Sequence, residues 1–459
     1  MTTRTNPVRS SLGVRLLALL LLGTAPLAGC GAAQRPQGEV RVSRLNDGVS
    51  ERVVDGVRVI HKRTPSNAVV QLSVLIDGGS AGHSDAQAAA ESVALEAATD
   101  GGPAGMARSD YKAWLDARGA SIGADAGLDY HVVSVSAVRP YLHDVWALAS
   151  RTLQKPAFDA ANLELIRERR MASFRSELDD PDDALRLLAR RAFFVGHPYA
   201  TRPVGTPEAV GLLDVDALRA AWSGLWVRSR LTVVVVGDLD EREVDAEVSA
   251  AFAALPEGAG FSRPSVPPVT PRPAAVNVVE RSDMPTNYVL GLFPIPSSTE
   301  PDYPAIQIGL AILSDKLFEE VRTKRNLTYA VAAGSTARRA SQGSLYVTTT
   351  DPVATLAVMQ QTVTALIEQP LTDKELRDHV EAWLTEYYMN SQSNAEIASL
   401  LGAWELTGTG REQADTHIEA LRALTPAQVS TALGRWLRGV QFTVLGAAES
   451  VQGADFTSR

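Results

Sequence analysis

One helix-to-strand ending occurs twice in this chain, and it limits the folds the chain can adopt. A helix over 214–226 closes on Trp226-Val227-Arg228 and leads into Leu231-Thr232-Val233-Val234-Val235-Val236-Gly237. Near the C-terminus, a helix over Pro426–Trp436 continues as Trp436-Leu437-Arg438 and leads into Phe442-Thr443-Val444-Leu445-Gly446. A β-branched run that stops at glycine reads as a buried strand. Between the two endings, residues 256–273 hold six prolines with Gly258 and Gly260, the clearest linker signal in the chain. The pattern predicts two duplicated α+β domains, 39–255 and 275–449, joined by a Pro-rich linker at 256–274 and followed by a tail at 450–459.

The local signals agree with that class. Asp55-Gly56 between β-rich runs predicts a hairpin. Strands are expected over Val69–Ile76 and Asp129–Val138, with a Gly/Ala-rich, weakly extended stretch at 119–127. A helix is expected over 85–100, and a second one capped by Ser109. The balance of 45% apolar and 21% charged residues gives ample core, and the net charge of −9 comes with no basic face. Nucleic acid is therefore excluded as a partner.

Arg4, Arg9 and Arg15 precede the apolar run Leu16–Leu22, which is too short to span a bilayer and reads as a signal segment over residues 1–29. Leu27-Ala28-Gly29-Cys30 resembles a bacterial lipobox. It implies diacylglyceryl transfer to Cys30, a tether over 30–38 and a membrane attachment through lipid. Cys30 is the only cysteine, so no intrachain disulfide can form. Gly31 in place of aspartate points to the outer membrane, facing the periplasm.

Leu317–Val331, LFEEVRTKRNLTYAV, starts as a helix and turns basic at Arg322, Lys324 and Arg325. Asn326 tolerates a left-handed helix end, and a strand is expected from Thr328 with Tyr329 near its start. The spacing can offer a guanidinium and a phenol to one peptide carbonyl. A solvated basic helix end followed by a core tyrosine explains the same residues.

The chain after Cys30 resembles the insulinase/pitrilysin-type zinc metallopeptidases and their mitochondrial-processing-peptidase relatives. The resemblance is strongest at Gly78–Gly101, at His197-Pro198-Tyr199 with Val204-Gly205-Thr206, at Leu231–Asp238 and at Leu317–Val331. It implies two α+β sandwich domains, each of strands backed by helices, enclosing a substrate chamber. It also implies that Arg322 and Tyr329, seven apart as in the family, bind the substrate backbone and stabilise the tetrahedral intermediate. The stretch at 119–127 corresponds to an edge strand that takes a peptide by β-addition.

The family's zinc motif, His-x-x-Glu-His, is missing. Anchored on Asp100-Gly101, it falls on Ser92-Val93-Ala94-Leu95-Glu96, and the third ligand falls on Ser173. Glu91 and Glu96 diverge on a helix and are expected to be solvated, and the histidines have no ligand-like spacing. No metal is therefore expected in this chain, and no peptidase activity of the chain alone. In some heterodimeric relatives one subunit holds zinc and the other the arginine–tyrosine pair. The resemblance thus implies a zinc-bearing partner subunit, a peptide substrate, and Arg322 and Tyr329 acting in trans. A non-catalytic structural or peptide-binding protein of the same fold is the alternative.

Overall fold

The computed structural model describes residues 44–258, 261–281, 284–369 and 371–447. Cys30, the signal segment, the tether and the tail lie outside the described residues. The first sheet starts from a tight turn. Asp55 (φ 47°) and Gly56 (φ 81°) both adopt the left-handed conformation that a two-residue type I′ turn requires. β1 (Val49–Val54) and β2 (Val57–Arg63) therefore pair antiparallel. β3 (Val69–Asp77), β4 (Ser121–Asp125), β5 (Tyr130–Val138) and β6 (Leu231–Gly237) complete a six-stranded sheet in the order β1-β2-β6-β3-β5-β4. β6, branched almost throughout, is buried along its whole length. The second sheet holds β7 (Ala275–Glu280), β8 (Asn287–Pro294), β9 (Val331–Thr336), β10 (Gln342–Thr349) and β11 (Gln441–Gly446). Its order, β7-β11-β8-β10-β9, repeats the first sheet from β2 onward. The parallel pair β2/β6 is matched by the parallel pair β7/β11.

The helices of the first half are α1 (Asp85–Gly101), α2 (Arg108–Asp116), α3 (Leu142–Gln154), α4 (Ala160–Asp179), α5 (Pro181–Phe193), α6 (Pro207–Gly211), α7 (Val215–Leu225) and α8 (Glu241–Phe252). Those of the second are α9 (Tyr303–Leu317), α10 (Pro352–Glu368), α11 (Asp373–Met389), α12 (Asn394–Thr407), α13 (Gln413–Arg422) and α14 (Pro426–Trp436). Ser109 does not cap α2. The helix starts at Arg108 behind Ala107, which offers no side-chain acceptor, and Arg108 instead pairs with Asp100 of α1 at 2.8 Å.

Each half lends a helix to the other. Ala398, Leu401 and Leu406 of α12 pack on Ile60, Leu75 and Val234 of the first sheet. Ala184, Leu185 and Ala189 of α5 pack with Leu290, Leu292 and Leu445 of the second. A fully buried aliphatic side chain contributes about 1.5–3 kcal/mol, so the exchange is a large part of the contact between the halves. Gly402 makes it close: a Cβ there would stand 2.9 Å from Leu75.

The Pro-rich linker has no regular structure over residues 261–274, yet it is fastened. Phe261 lies 4.7 Å beneath the Arg230 guanidinium, and Arg263 pairs with Asp77 at 2.7 Å. His197 accepts from the Tyr199 N–H through Nδ1, so its Nε2–H donates to the Pro267 carbonyl at 2.8 Å. Proline carbonyls and the side chains between them do the bonding that the missing N–H groups cannot.

Candidate functional site

The stretch carrying Arg322 and Tyr329 is an interrupted helix. α9 runs into a π-helical turn over Phe318–Thr323. Asn326 takes φ 54°, as its position predicts. Its N–H bonds the Arg322 carbonyl at 3.0 Å, and the Leu327 N–H bonds the Val321 carbonyl at 3.0 Å. Both bonds span one residue more than a Schellman cap does, which is the consequence of the π turn. The backbone at Leu327 is thereby brought back beside Val321. Arg322 follows one member of that bonded pair directly, and Tyr329 follows the other by two residues.

The three basic residues of this stretch differ in what they touch. Lys324 reaches Glu319 at 2.9 Å and Glu320 at 2.6 Å, and Arg325 reaches Glu320 at 2.6 Å. Arg322 lies over the Phe318 ring at 4.8 Å, and among the described residues no hydrogen bond or ion pair engages its guanidinium. Tyr329 is 87% exposed, so it is not a core tyrosine. Nor is it in a strand. The Thr328 hydroxyl accepts from the Ala330 N–H and donates to the Thr348 carbonyl, a side-chain-closed turn that delays β9 to Val331.

In the first half, α1 carries the positions where the resemblance places a metal. Ser92 and Glu96, one turn apart, face Arg170 of α4. Arg170 donates from Nε to Glu96 Oε2 at 2.8 Å and from Nη2 to Ser92 Oγ at 3.0 Å. Its Nη1 donates to the Val204 carbonyl at 3.3 Å. Leu95, where a general base would stand, is buried in the core, and Ser173 is exposed on α4. The donor set is thus two hydroxyls and one carboxylate already neutralised by a guanidinium. This does not fit a zinc ion, which takes imidazole, thiolate or unshared carboxylate. Among the described residues no group of three His, Cys, Asp or Glu is placed to hold a metal.

Glu91 and Glu96 are not solvated helix charges. The Glu91 side chain is 13% exposed, and its Oε2 lies 3.1 Å from His83 Nδ1 and 3.2 Å from His131 Nε2. His131 Nδ1 accepts the Gly127 N–H at 3.3 Å, so its Nε2 carries the proton and donates. Burial pushes the Glu91 carboxyl up, but the two imidazole hydrogen bonds outweigh it and hold it at about 2. Asp100, bonded to Arg108 and Lys112, is likewise held at about 2 against its burial. No spacing rule joins 83, 91 and 131. The one available signal was the strict alternation of β5, which places His131 on its buried face.

β4 ends the first sheet on its open side, and a Cβ added at Gly123 would meet nothing within 4 Å. Residues 119–127 thus include an edge strand of the first sheet, the position the resemblance gave them. His197 serves the linker contact described above.

A model described as the peptidase M16 inactive domain matches residues 213–382. A Helicobacter pylori protein named non-peptidase homolog YmxG is 21% identical over 271 residues, which are 58% of this chain and 62% of that relative. The crystal structure of a peptidase M16 inactive domain from Pseudomonas fluorescens superposes with a TM-score of 0.78 at 22% identity, covering 87% of this chain and 98% of that one. The periplasmic protease PqqL of Escherichia coli superposes with a TM-score of 0.74 at 14% identity, over 93% of this chain but only 49% of that protease. These likenesses and the paired α+β sheets agree: residues 213–382 match the peptidase M16 inactive domain, and the chain has the fold of solved peptidase M16 proteins, with the positions of the zinc motif held by other residues.

Proposed function

We propose that this chain is the non-zinc partner subunit of a heterodimeric periplasmic insulinase-like metallopeptidase, and that it presents Arg322 and Tyr329 to a zinc site carried by the partner. The observation that carries the reading is a contrast within one molecule. The position expected to hold a metal is filled by Arg170, whereas Arg322 and Tyr329 have no competing polar partner among the described residues and Tyr329 faces outward. In this reading Arg322 donates to the substrate carbonyl and Tyr329 to the developing oxyanion. The partner's zinc supplies Lewis-acid polarisation and an activated water. The fold superposes on about half of PqqL, and on the first half of that protease taken alone, in keeping with a unit that works beside a second one. Cys30 would carry the lipid that attaches it to the outer membrane, on the periplasmic side.

The test is co-purification from the native membrane with mass-spectrometric identification of bound proteins, followed by reconstitution. A zinc-bearing subunit of the same family should be recovered. Arg322→Ala should abolish peptide hydrolysis by the pair while the pair still assembles, and unchanged turnover rejects the role. The free edge of β4 favours one other reading, a non-catalytic peptide-binding protein. Peptide would then bind the isolated chain, with or without Arg322.

A further inference from the structure

The second half contains a cavity of about 590 Å³ between its sheet and α10 and α14. It lies apart from Glu96, Arg170 and Tyr329. Leu356, Met359, Val363 and Ile367 line it from α10. Their spacing of three and four residues forms one stripe, and eleven residues of helix run about 16 Å. The cavity is therefore a long slot. Leu317, Leu345 and Leu356, all buried, close its inner part.

Ile367 lies toward the other end, beside Gly434 and the exposed Arg438. The backbone of Arg272 joins this rim, because Gly439 packs so tightly on the Arg272 carbonyl that a Cβ there would come within 2.2 Å of it, while the Arg272 guanidinium turns to α5 on the other face of the sheet. Arg272 donates through Nη2 to the Ala192 and Phe193 carbonyls, and Arg438 donates through Nε to the Gly434 carbonyl. Neither arginine has a carboxylate partner among the described residues, and no Asp or Glu lines the slot. Arg435 nearby is different, since it is paired with Asp302 at 2.8 Å.

An apolar slot of this length gives water few partners, and an exposed arginine without a carboxylate partner at its mouth favours an anion. We propose that this slot binds a single-chain anionic amphiphile, with the hydrocarbon chain along α10 and the acidic head at Arg438. Three bonds of extended chain cover about 3.5 Å, so a chain of about twelve carbons spans most of the slot. A free fatty acid and a single-chain lipid phosphate share this chemistry.

The test is calorimetric titration of the full chain, stripped of lipid, with dodecanoate, dodecyl phosphate and dodecanol. Saturable one-to-one binding of an anion, tighter than dodecanol, is expected. The order of the two anions identifies carboxylate or phosphate as the preferred head. Arg438→Glu should weaken both anions at least tenfold and leave dodecanol unchanged, and Met359→Trp should block all three by filling the slot. Absence of saturable binding overturns the proposal, as does equal affinity for dodecanol or anion binding unmoved by Arg438→Glu. Arg438 is exposed, so that variant decides the matter even if Met359→Trp fails to fold.

Discussion

Arg170 and Glu96 join α4 to α1 through a 2.8 Å charge-assisted hydrogen bond at the position where the family resemblance places a metal ion. A guanidinium belonging to the chain supplies the cation there. Arg169 adds contacts to Glu96 at 3.5 Å and to Asp100 at 3.1 Å, so the acids of α1 are tied to α4 by two consecutive arginines.

Arg170→Ala removes the principal partner of a half-buried carboxylate. We expect a loss of about 1–3 kcal/mol, read as a lower midpoint in chemical denaturation. Zinc measured on the purified protein should stay substoichiometric in both forms, because one carboxylate and two hydroxyls remain a poor donor set. A zinc content near one per chain in either form would contradict the assignment.

Arg322→Ala and Tyr329→Phe should leave stability within about 0.5 kcal/mol of the parent, since neither group is engaged by buried polar partners. Leu317→Ala, at the fully buried end of α9, should cost about 2–5 kcal/mol. Thermal denaturation of the three variants checks the contrast, and it separates a loss of turnover in a reconstituted pair from simple misfolding.

Three groups shape the acid limb of stability: His417, Glu91 and Asp100, the last held at about 2 by Arg108 and Lys112. His417 is buried among Tyr303, Trp383 and Trp404, and burial lowers its imidazole from 6.5 to about 4. The folded chain keeps it neutral while the unfolded chain binds a proton, so its contribution is full above about 6.5 and is lost as the pH falls toward 4. Glu91, held at about 2 against an ordinary 4.5, contributes fully above 4.5 and loses that contribution as the pH falls through 2. Denaturation midpoints against pH should show both windows. Glu91→Gln should shrink the lower one to the share that Asp100 supplies and leave the upper unchanged.

Gly402→Val should push α12 away from Leu75 and cost about 1–3 kcal/mol through overpacking. If α12 only rested loosely on the first sheet, the substitution would be neutral by the same denaturation measurement.

Much of this architecture could be read in the residues. Asp55-Gly56 gave its hairpin, the branched run at 231–236 its buried strand, and the repeated Trp-x-Arg ending its second sheet. Asn326 took the left-handed conformation foreseen for it. The π turn could not be read, because a one-residue widening of a helix leaves the apolar spacing almost unchanged. Tyr329 lies outside β9 because the Thr328 hydroxyl closes a turn first, a local competition that strand propensity does not register. The pairing of Ser92 and Glu96 with Arg170, and of Glu91 with two histidines, depends on how separate elements cross. Only the tertiary fold brings those positions together.

The exchanged helices bear on how the chain would behave once cut. A protease that nicked the segment between the sheets would sever one peptide bond, yet α5 would remain seated under β8 and β11, and α12 under β3 and β6. The two fragments should co-migrate under native conditions and part only in denaturant. Either fragment made alone would present a bare aliphatic sheet face and aggregate. The polypeptide thus has an obligate dimer's interface folded inside a single chain, and continuity of the backbone is not what holds its halves together.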